Sequence, residues 1–431
     1  MFYNGYKISI FHLRAQKKSP SLRQALDLKN RAQDQTRTDT PLPALPPQSS
    51  VSTNFTTCAL ILGLQRYKLF LFFKIFFTNF AKTHCMRLHE VKTGIDDALE
   101  FYYTGRDALN ALYGTIEAAE TSVLLEFFII EDDEIGQRFE KLLCAKSKAG
   151  VKVLVCYDAF GSSGTGKKFF RRMADSGVRV SKFNPFFSAY GITHLNHRNH
   201  RKLAVIDKKV SFVGGVNIAD RYFTGGKYAL WRDTFCRISG EATAEKLSAI
   251  FYNDFNHIYR AGGFIGEEWL MSKLSSARKS VKILTPYFAP SKELYKVLAA
   301  ACMRGVEIDL MIPYRTDSNI LHYCNMASVK HCLGMGMRLH LFYNGFNHSK
   351  VLIVDDNIAY VGSANMDNRS LRLDYEIMSE IGNTKYVDLL LKRFFRDLKY
   401  CQNLESEEDW KERPKRSRLY ERLARLLYRF L

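Results

Sequence analysis

From about residue 101 the chain alternates two hydrophobic patterns. Short apolar runs rich in β-branched residues read as buried strands, and longer stretches with apolar positions three or four apart read as amphipathic helices. In order, Arg106–Leu112 with Ile116 and Ala119 has helical spacing, and Ser122–Ile130 is a strand. Gly136–Ala149 is a helix closed by Gly150, Val151–Tyr157 a strand, Lys167–Ser176 a helix and Val178–Phe183 a strand. The order then repeats. Gly266–Arg278 is a helix, Val281–Thr285 a strand, Lys292–Arg304 a helix closed by Gly305, and Val306–Ile312 a strand. Ile320–Leu333 is a helix, Met337–Phe342 a strand and Val387–Leu398 a last helix. Gly150 and Gly177 have counterparts in Gly305 and Gly336. A repeat of this length predicts two similar α/β domains, not a short-period solenoid. Alternating strands and helices predict a mixed β-sheet in each, flanked by helices.

Each order leads into the same stretch. The first copy runs His200-Arg201-Lys202-Leu203-Ala204-Val205-Ile206-Asp207, and the second His348-Ser349-Lys350-Val351-Leu352-Ile353-Val354-Asp355. Both are HxKxxxxD, and both lead into a Gly-x-x-Asn: Gly214 to Asn217, and Gly362-Ser363-Ala364-Asn365. One HxK on a strand is usually an ordinary polar pair. Two copies with the same spacing and the same tail are not. Side chains alternate along a strand, so His and Lys share a face in each copy. Asp207 and Asp355 fall on the opposite face and read as strand-end anchors. The glycines suit a close approach of backbone to a ligand or another strand.

A doubled His, Lys and amide suits a phosphodiester. Its transition state is more anionic than its ground state, and fixed cations and amide donors stabilise the difference. One His can be nucleophile and the other general acid. Asn217, Asn365 and Ser363 can hydrogen-bond an oxyanion. The two HxK strands are expected to meet at the domain interface, giving a site with approximate two-fold symmetry.

The ends of the chain differ from its body. The net charge is +19, and most of the excess lies in residues 1–85 and 411–431. Such ends suit an anionic surface, membrane or nucleic acid. Residues 38–50 are polar and Pro-rich, a composition that buries no core. The apolar run 58–80 is long enough to span a bilayer but contains Arg66, Lys68 and Lys74. Each charge costs roughly 2.5–3.5 kcal/mol near the centre of a membrane helix, which disfavours a span. Nor does a small-residue cleavage site follow it. Residues 1–85 are therefore expected to be a disordered or non-native extension, with Met86 as a candidate initiator. The nine cysteines form no C-x-x-C pair, which speaks against a zinc site and for reduced thiols. After an acidic linker, residues 418–431 plot as a helix with Arg418, Arg422, Arg425 and Arg429 in one stripe and leucines opposite.

The doubled motif resembles the phospholipase D superfamily. Longer strings resemble its bacterial cardiolipin synthases: Arg198-Asn199-His200-Arg201-Lys202, residues 214–220, Trp231-Arg232-Asp233-Thr234, Thr285–Pro290 and 362–370. One departure is Asp374, where the family pattern has Asn. The resemblance covers about residues 100–431. It implies a first phospholipase D-like domain over 86–262 (motif 194–221), a second over 263–403 (motif 342–369), and a linker and basic tail over 404–431. It implies His200, Lys202, Asp207, His348, Lys350 and Asp355 as the catalytic set, Asn217, Ser363 and Asn365 as substrate-binding, and Asp233 and Glu376 as orienting the imidazoles. In the family pattern Glu376 falls on the acid that steadies the second His. The reaction implied is phosphatidyl transfer between two phosphatidylglycerol molecules, giving cardiolipin and glycerol through a phosphatidyl-histidine. No metal or cofactor and no nucleic-acid partner are expected. The implied partners are phosphatidylglycerol and an anionic membrane surface, at the cytoplasmic face of a bacterial cell membrane. A hydrolase of lipid or nucleic-acid phosphodiesters is the alternative within enzymes. A non-catalytic binding module has no need of both imidazoles.

Overall fold

The computed structural model describes residues 87–185, 196–258, 263–410 and 420–424. The N-terminal extension, its apolar run and most of the basic tail lie outside the described residues.

The first half contains β1 (Leu88–Lys92), β2 (Ala98–Thr104), α1 (Gly105–Glu117), β3 (Ser122–Phe127), α2 (Glu134–Lys148), β4 (Lys152–Asp158), α3 (Lys167–Asp175) and β5 (Arg179–Phe183). It continues through β6 (Lys202–Ile206), β7 (Val210–Gly214), α4 (Asp220–Thr224), β8 (Trp231–Ser239) and α5 (Glu241–Phe255). The second half begins with α6 (Gly266–Ser276), β9 (Ser280–Leu284), β10 (Phe288–Ala289), α7 (Lys292–Met303), β11 (Glu307–Pro313), α8 (Asn319–Gly334) and β12 (Arg338–Phe342). There follow β13 (Phe346–Asn347), β14 (Val351–Val354), β15 (Ile358–Gly362), β16 (Met366–Asp367), α9 (Asn368–Arg372), β17 (Glu376–Ile381), α10 (Thr384–Leu398) and β18 (Cys401–Leu404). The helix punctuation is local chemistry. Thr104, Asp133 and Ser291 cap α1, α2 and α7 by accepting from the amides of Asp107, Gly136 and Leu294. Gly150 and Gly305, at φ +91° and +83°, end α2 and α7 in the left-handed region.

The strands form two large mixed sheets, in orders β13-β8-β7-β6-β3-β4-β5, with β2 also on β8, and β1-β17-β15-β14-β9-β11-β12-β18, while β10 and β16 pair in parallel as a separate small sheet. Each motif strand is interior: β6 lies between β3 and β7, and β14 between β9 and β15, antiparallel to both neighbours. Each half has its own outer apolar core. A third core is shared, with Leu203, Val205 and Val213 of one sheet and Val351, Ile353 and Val361 of the other, together with Phe251 of α5 and Phe394 of α10.

Two strand pairings cross the boundary expected at residue 262. Strand β1, expected in the first domain, pairs in parallel with β17 of the second. Strand β13 of the second half pairs in parallel with Trp231 and Arg232 of β8. The folded body therefore includes residues 88–92, ahead of the helical spacing that first marks it in the sequence. The site is built where β13 pairs with β8 and where Asn199, just ahead of the first motif, bridges Tyr375 in parallel.

Candidate active site

Neither histidine lies within its motif strand. His200 lies two residues ahead of β6 and His348 three ahead of β14, each where the chain touches the other half. His200 N donates to Tyr375 O at 3.0 Å, and His348 N donates to Arg232 O at 2.7 Å. The residue after each acceptor is a carboxylate. This backbone contact brings Glu376 to His200 and Asp233 to His348. His200 Nδ1 is 2.9 Å from Glu376 Oε1, and His348 Nδ1 is 2.8 Å from Asp233 Oδ2. The expected assignment of Glu376 to the second His is thus corrected. Each carboxylate orients the imidazole of the opposite half, because the parallel pairing runs across the interface. With Nδ1–H donating to a carboxylate, Nε2 is left as the reactive nitrogen. Neither Nε2 has a hydrogen-bond partner among the described residues.

The lysines repeat the symmetry. Lys202 Nζ donates to His200 O and Lys350 Nζ to His348 O, each at 2.6 Å. Both are buried. Burial pushes Lys202 down to about 7 and Lys350 to about 8. Burial pushes the carboxyls the other way, Asp233 up to about 6 and Glu376 to about 7, with Lys350 and Lys202 respectively opposing. Burial, then the neighbouring lysine, holds each imidazole well below its ordinary value. Burial thus makes each group resist its charged form. An anion placed between them would favour protonation of the lysines and imidazoles.

The shells around the two carboxylates differ. Glu376 accepts from the hydroxyls of Ser363 and Ser370, and Ser363 Oγ also accepts from Ile377 N at 3.0 Å. Ser363, expected to bind substrate, is spent on positioning Glu376. Its counterpart is Gly215, where an added Cβ would come within 2.3 Å of Asp233 Oδ1. The close approach that the glycines suggested is therefore to the neighbouring strand. Asn217 is also engaged within the protein. Its Oδ1 accepts from Ile129 N at 3.0 Å, and its Nδ2 donates to the Tyr222 hydroxyl at 2.6 Å. It holds Tyr222, whose ring lies 6.1 Å from that of His348. Asn365 has a buried Oδ1 without a hydrogen-bond partner among the described residues.

Asp207 and Asp355 are not at the site. Each follows its motif strand at φ +53° and pins the turn before a neighbouring strand. Asp207 accepts from the backbone amides of Glu120, Thr121 and Ser122 at 2.7–2.9 Å. Asp355 accepts from those of Arg278, Lys279 and Ser280. Their place in a catalytic set is corrected to structural anchors, as strand alternation had indicated.

Residues without a motif of their own complete the support. Arg201, between the His and Lys, ion-pairs with Asp254 of α5, and its Nη2 donates to Arg87 O at 3.1 Å. In the second half Ser349 takes that position, and Arg232 spans to Asp397 of α10 at 2.7 Å. Arg232 Nη1 also donates to Ser349 Oγ at 2.9 Å. Each motif thus rests on a buried Arg–Asp pair. The departure at Asp374 is likewise accommodated: its carboxylate is 3.2 Å from Arg369 Nε and accepts from Arg198 N at 3.3 Å.

Comparison with known proteins agrees with this architecture. The family profile described as "Cardiolipin synthase, PLD-like domain" matches residues 112–255 and 270–398, one match per half. The cardiolipin synthase of Geobacillus kaustophilus (strain HTA426) is 32% identical over 354 residues, covering 75% of this chain and 70% of its own. The major cardiolipin synthase ClsA of Bacillus subtilis (strain 168) is 33% identical over 373 residues, covering 79% and 77%. The crystal structure of phosphatidylserine synthase from Haemophilus influenzae Rd KW20 shares the fold, at a TM-score of 0.64 and 13% identity, over 83% of this chain and 97% of that one. With a doubled motif on two sheets and a family match in each half, the chain belongs to the cardiolipin synthases of the phospholipase D superfamily and is a phosphatidyltransferase.

Proposed function

We propose that the chain makes cardiolipin from two phosphatidylglycerol molecules by double displacement, with His200 as nucleophile and His348 as acid and then base. The observation that carries this reading is the mirrored pair of imidazoles, each with Nδ1 on a buried carboxylate from the other half. The Nε2 lone pair of His200 attacks phosphorus, and the P–O bond to the glycerol headgroup breaks. The Nε2 proton of His348 goes to the departing oxygen, leaving phosphatidyl-His200 and glycerol. Neutral His348 then takes the proton from a glycerol hydroxyl of a second lipid. That oxygen attacks phosphorus, the P–N bond breaks, and His200 regains its lone pair. Lys202 and Lys350 stabilise the charge on the phosphoryl oxygens in both steps. Asn365 is the amide left to join them, through the donors of its Nδ2, since both side-chain ends of Asn217 are engaged within the protein.

We also place the enzyme peripherally on an anionic membrane surface, at the cytoplasmic face, with the basic tail as its contact. Among the described residues no helix is long and apolar enough to cross a membrane. A nucleic-acid partner is not part of this reading.

The test is to incubate purified protein with labelled phosphatidylglycerol vesicles and identify products by mass. Cardiolipin with glycerol supports the transfer. Phosphatidic acid alone identifies a hydrolase. His200→Ala and His348→Ala should each abolish turnover, and the double variant should be no worse, since residues that act as a unit are non-additive.

A further inference from the structure

A cavity opens beside the site, on the His348 side. It has a volume of about 350 Å³ and is lined by Lys227, Tyr228, Tyr314, Arg315, Phe342, Tyr343 and Gly345. That volume lies within the range of small-ligand sites. Lys227 and Arg315 are exposed, and neither forms an ion pair with a described residue. Tyr314 and Tyr343 stack at 4.3 Å on one wall. Lys227 sits in a turn with Gly225, Gly226 and the non-glycine Ala229 all at positive φ, a conformation retained where surrounding structure enforces it.

The cavity is one ring away from the reacting centre. Tyr228 packs on Phe346 at 5.1 Å, and Phe346 packs on His348 at 5.5 Å. The hydroxyl of Tyr228 also donates to Thr316 O at 2.5 Å, which ties the segment 314–317 to the first half. Along that segment the charge reverses. Arg315 lines the cavity, and two residues later Asp317 accepts from the Tyr287 hydroxyl, whose ring is 6.4 Å from His348. A ligand with an anion at one end and neutral hydroxyls at the other fits this order. The cations take the anion, and Asp317 repels it while accepting from a hydroxyl.

We propose that this cavity holds the phosphate of the accepting phospholipid, with Lys227 and Arg315 as its ligands, so that the free glycerol of that lipid points along residues 315–317 towards His348. The inference rests on the transfer reading above and adds to it the place of the second substrate. Bare phosphate would satisfy the cations but leave the Asp317 end unused.

The experiment reads a product ratio. A phosphatidyl-His200 intermediate partitions between a lipid hydroxyl, giving cardiolipin, and water, giving phosphatidic acid. Both products come from the same folded molecules, so a partly unfolded preparation leaves the ratio intact. The double variant Lys227→Gln/Arg315→Gln is expected to lower the cardiolipin to phosphatidic acid ratio by about tenfold at low phosphatidylglycerol content, a change worth about 1.4 kcal/mol of acceptor binding. Raising the phosphatidylglycerol fraction should restore it. Lys227→Arg/Arg315→Lys should keep the parental ratio. A ratio in the Gln variant within twofold of the parent overturns the inference while leaving the transfer reading intact. Failure of the unsubstituted protein to form cardiolipin overturns both. As a competitor against the parent, glycerol phosphate should lower the ratio at concentrations where inorganic phosphate does not. Equal potency of the two would make the cavity a general phosphate site and overturn the lipid assignment.

Discussion

His200 and Glu376 are 176 residues apart in the chain and 2.9 Å apart in the fold. The mirror contact, His348 to Asp233, spans 115 residues at 2.8 Å. Neither half completes the surroundings of its own motif imidazole. Each supplies a histidine and borrows a carboxylate, so the site exists only when both sheets are packed on their shared core. The first prediction follows from this exchange. Glu376→Gln should impair His200, and Asp233→Asn should impair His348, each by on the order of 10²–10⁴-fold in turnover, the usual worth of a positioned acid–base group. Rapid quenching with labelled lipid separates the two. Glu376→Gln should slow the appearance of label on His200. Label appearing instead on His348 in the parent would reverse the two roles.

The pH profile should be narrow. On the acid side kcat/KM rises as Asp233 (about 6) and Glu376 (about 7) ionise and orient the imidazoles. On the alkaline side it falls as Lys202 (about 7) and Lys350 (about 8) lose the protons that hold the phosphate. The optimum is expected between these limits, near neutrality, reported as macroscopic values of the coupled site. A rate still rising at pH 9.5 would show that the lysines keep ordinary values and that burial does not govern them. Lipid binding favours the protonated lysines, so the alkaline limb of kcat should lie above that of kcat/KM.

Much of this was legible before any fold was known. The doubled HxKxxxxD marked two equivalent strands and the residue types of a phosphodiester site, because repetition at one spacing is hard to produce by packing alone. The strand–helix order of each half was legible because period 2 and period 3.6 differ. Four things were not. The cross-pairing of each histidine with a carboxylate of the other half depends on a short parallel contact, Asn199 with Tyr375 and Phe346–Asn347 with β8, and segments so short leave no periodic signal. The roles of Ser363 and Asn217 depend on which partner claims their hydrogen bonds, which residue type does not fix. The placement of β1 with β17 is a long-range pairing of five residues whose alternation is too brief to read. Asp254 and Asp397 offered only ordinary acids on amphipathic helices, with nothing in their spacing to mark them as counter-ions to Arg201 and Arg232.

The anchoring aspartates separate stability from catalysis. Asp207→Ala leaves the amides of Glu120, Thr121 and Ser122 without their acceptor, and Asp355→Ala does the same to those of Arg278, Lys279 and Ser280. Each should cost about 1–3 kcal/mol of stability, measured as a fall in Tm or denaturation midpoint, with turnover of the remaining folded protein within tenfold of the parent. Burial alone would raise the Asp207 carboxyl, but the backbone amides outweigh it and its value is lowered. A depressed folded value means that its contribution is present above the unfolded carboxyl range and is lost as pH falls through the folded one. Asp207→Ala should therefore lose its effect on stability in acid. A thousandfold loss of turnover at unchanged stability would return Asp207 to the catalytic set.

Chelation should spare the chemical step. The positive charge that a metal would supply is supplied by Lys202 and Lys350, both within the motif pair and both buried. With short-chain phosphatidylglycerol in solution, where divalent ions cannot act through vesicle packing, a chelator should change kcat by less than twofold. Abolition by chelator and recovery with one particular divalent ion would overturn the metal-free mechanism.

The turn at 420–424 bears on how the tail meets the membrane. Tyr420 lies 5.0 Å from Tyr323 of α8, and Ala424 and Glu421 are buried. Arg422 and Leu423 face outward, Leu423 at 50% exposure. The body therefore takes a small alanine and a glutamate, and leaves one leucine of the expected apolar face, and one arginine of the expected stripe, in solvent. A helix packed as core would have buried the leucine. The distal residues 425–431 add Leu426, Leu427, Phe430 and Leu431 with Arg425 and Arg429, the composition of an interfacial segment. Each basic residue near an anionic leaflet contributes about 1 kcal/mol. Removing 425–431 should then weaken binding to phosphatidylglycerol vesicles, with Tm within about one degree of the parent, and raised salt should do part of the same. Removing 414–431 should cost further Tm, because the turn on α8 goes with it. If the shorter deletion lowers Tm by several degrees and vesicle binding persists, the distal tail is part of the core and the membrane contact lies elsewhere on the protein.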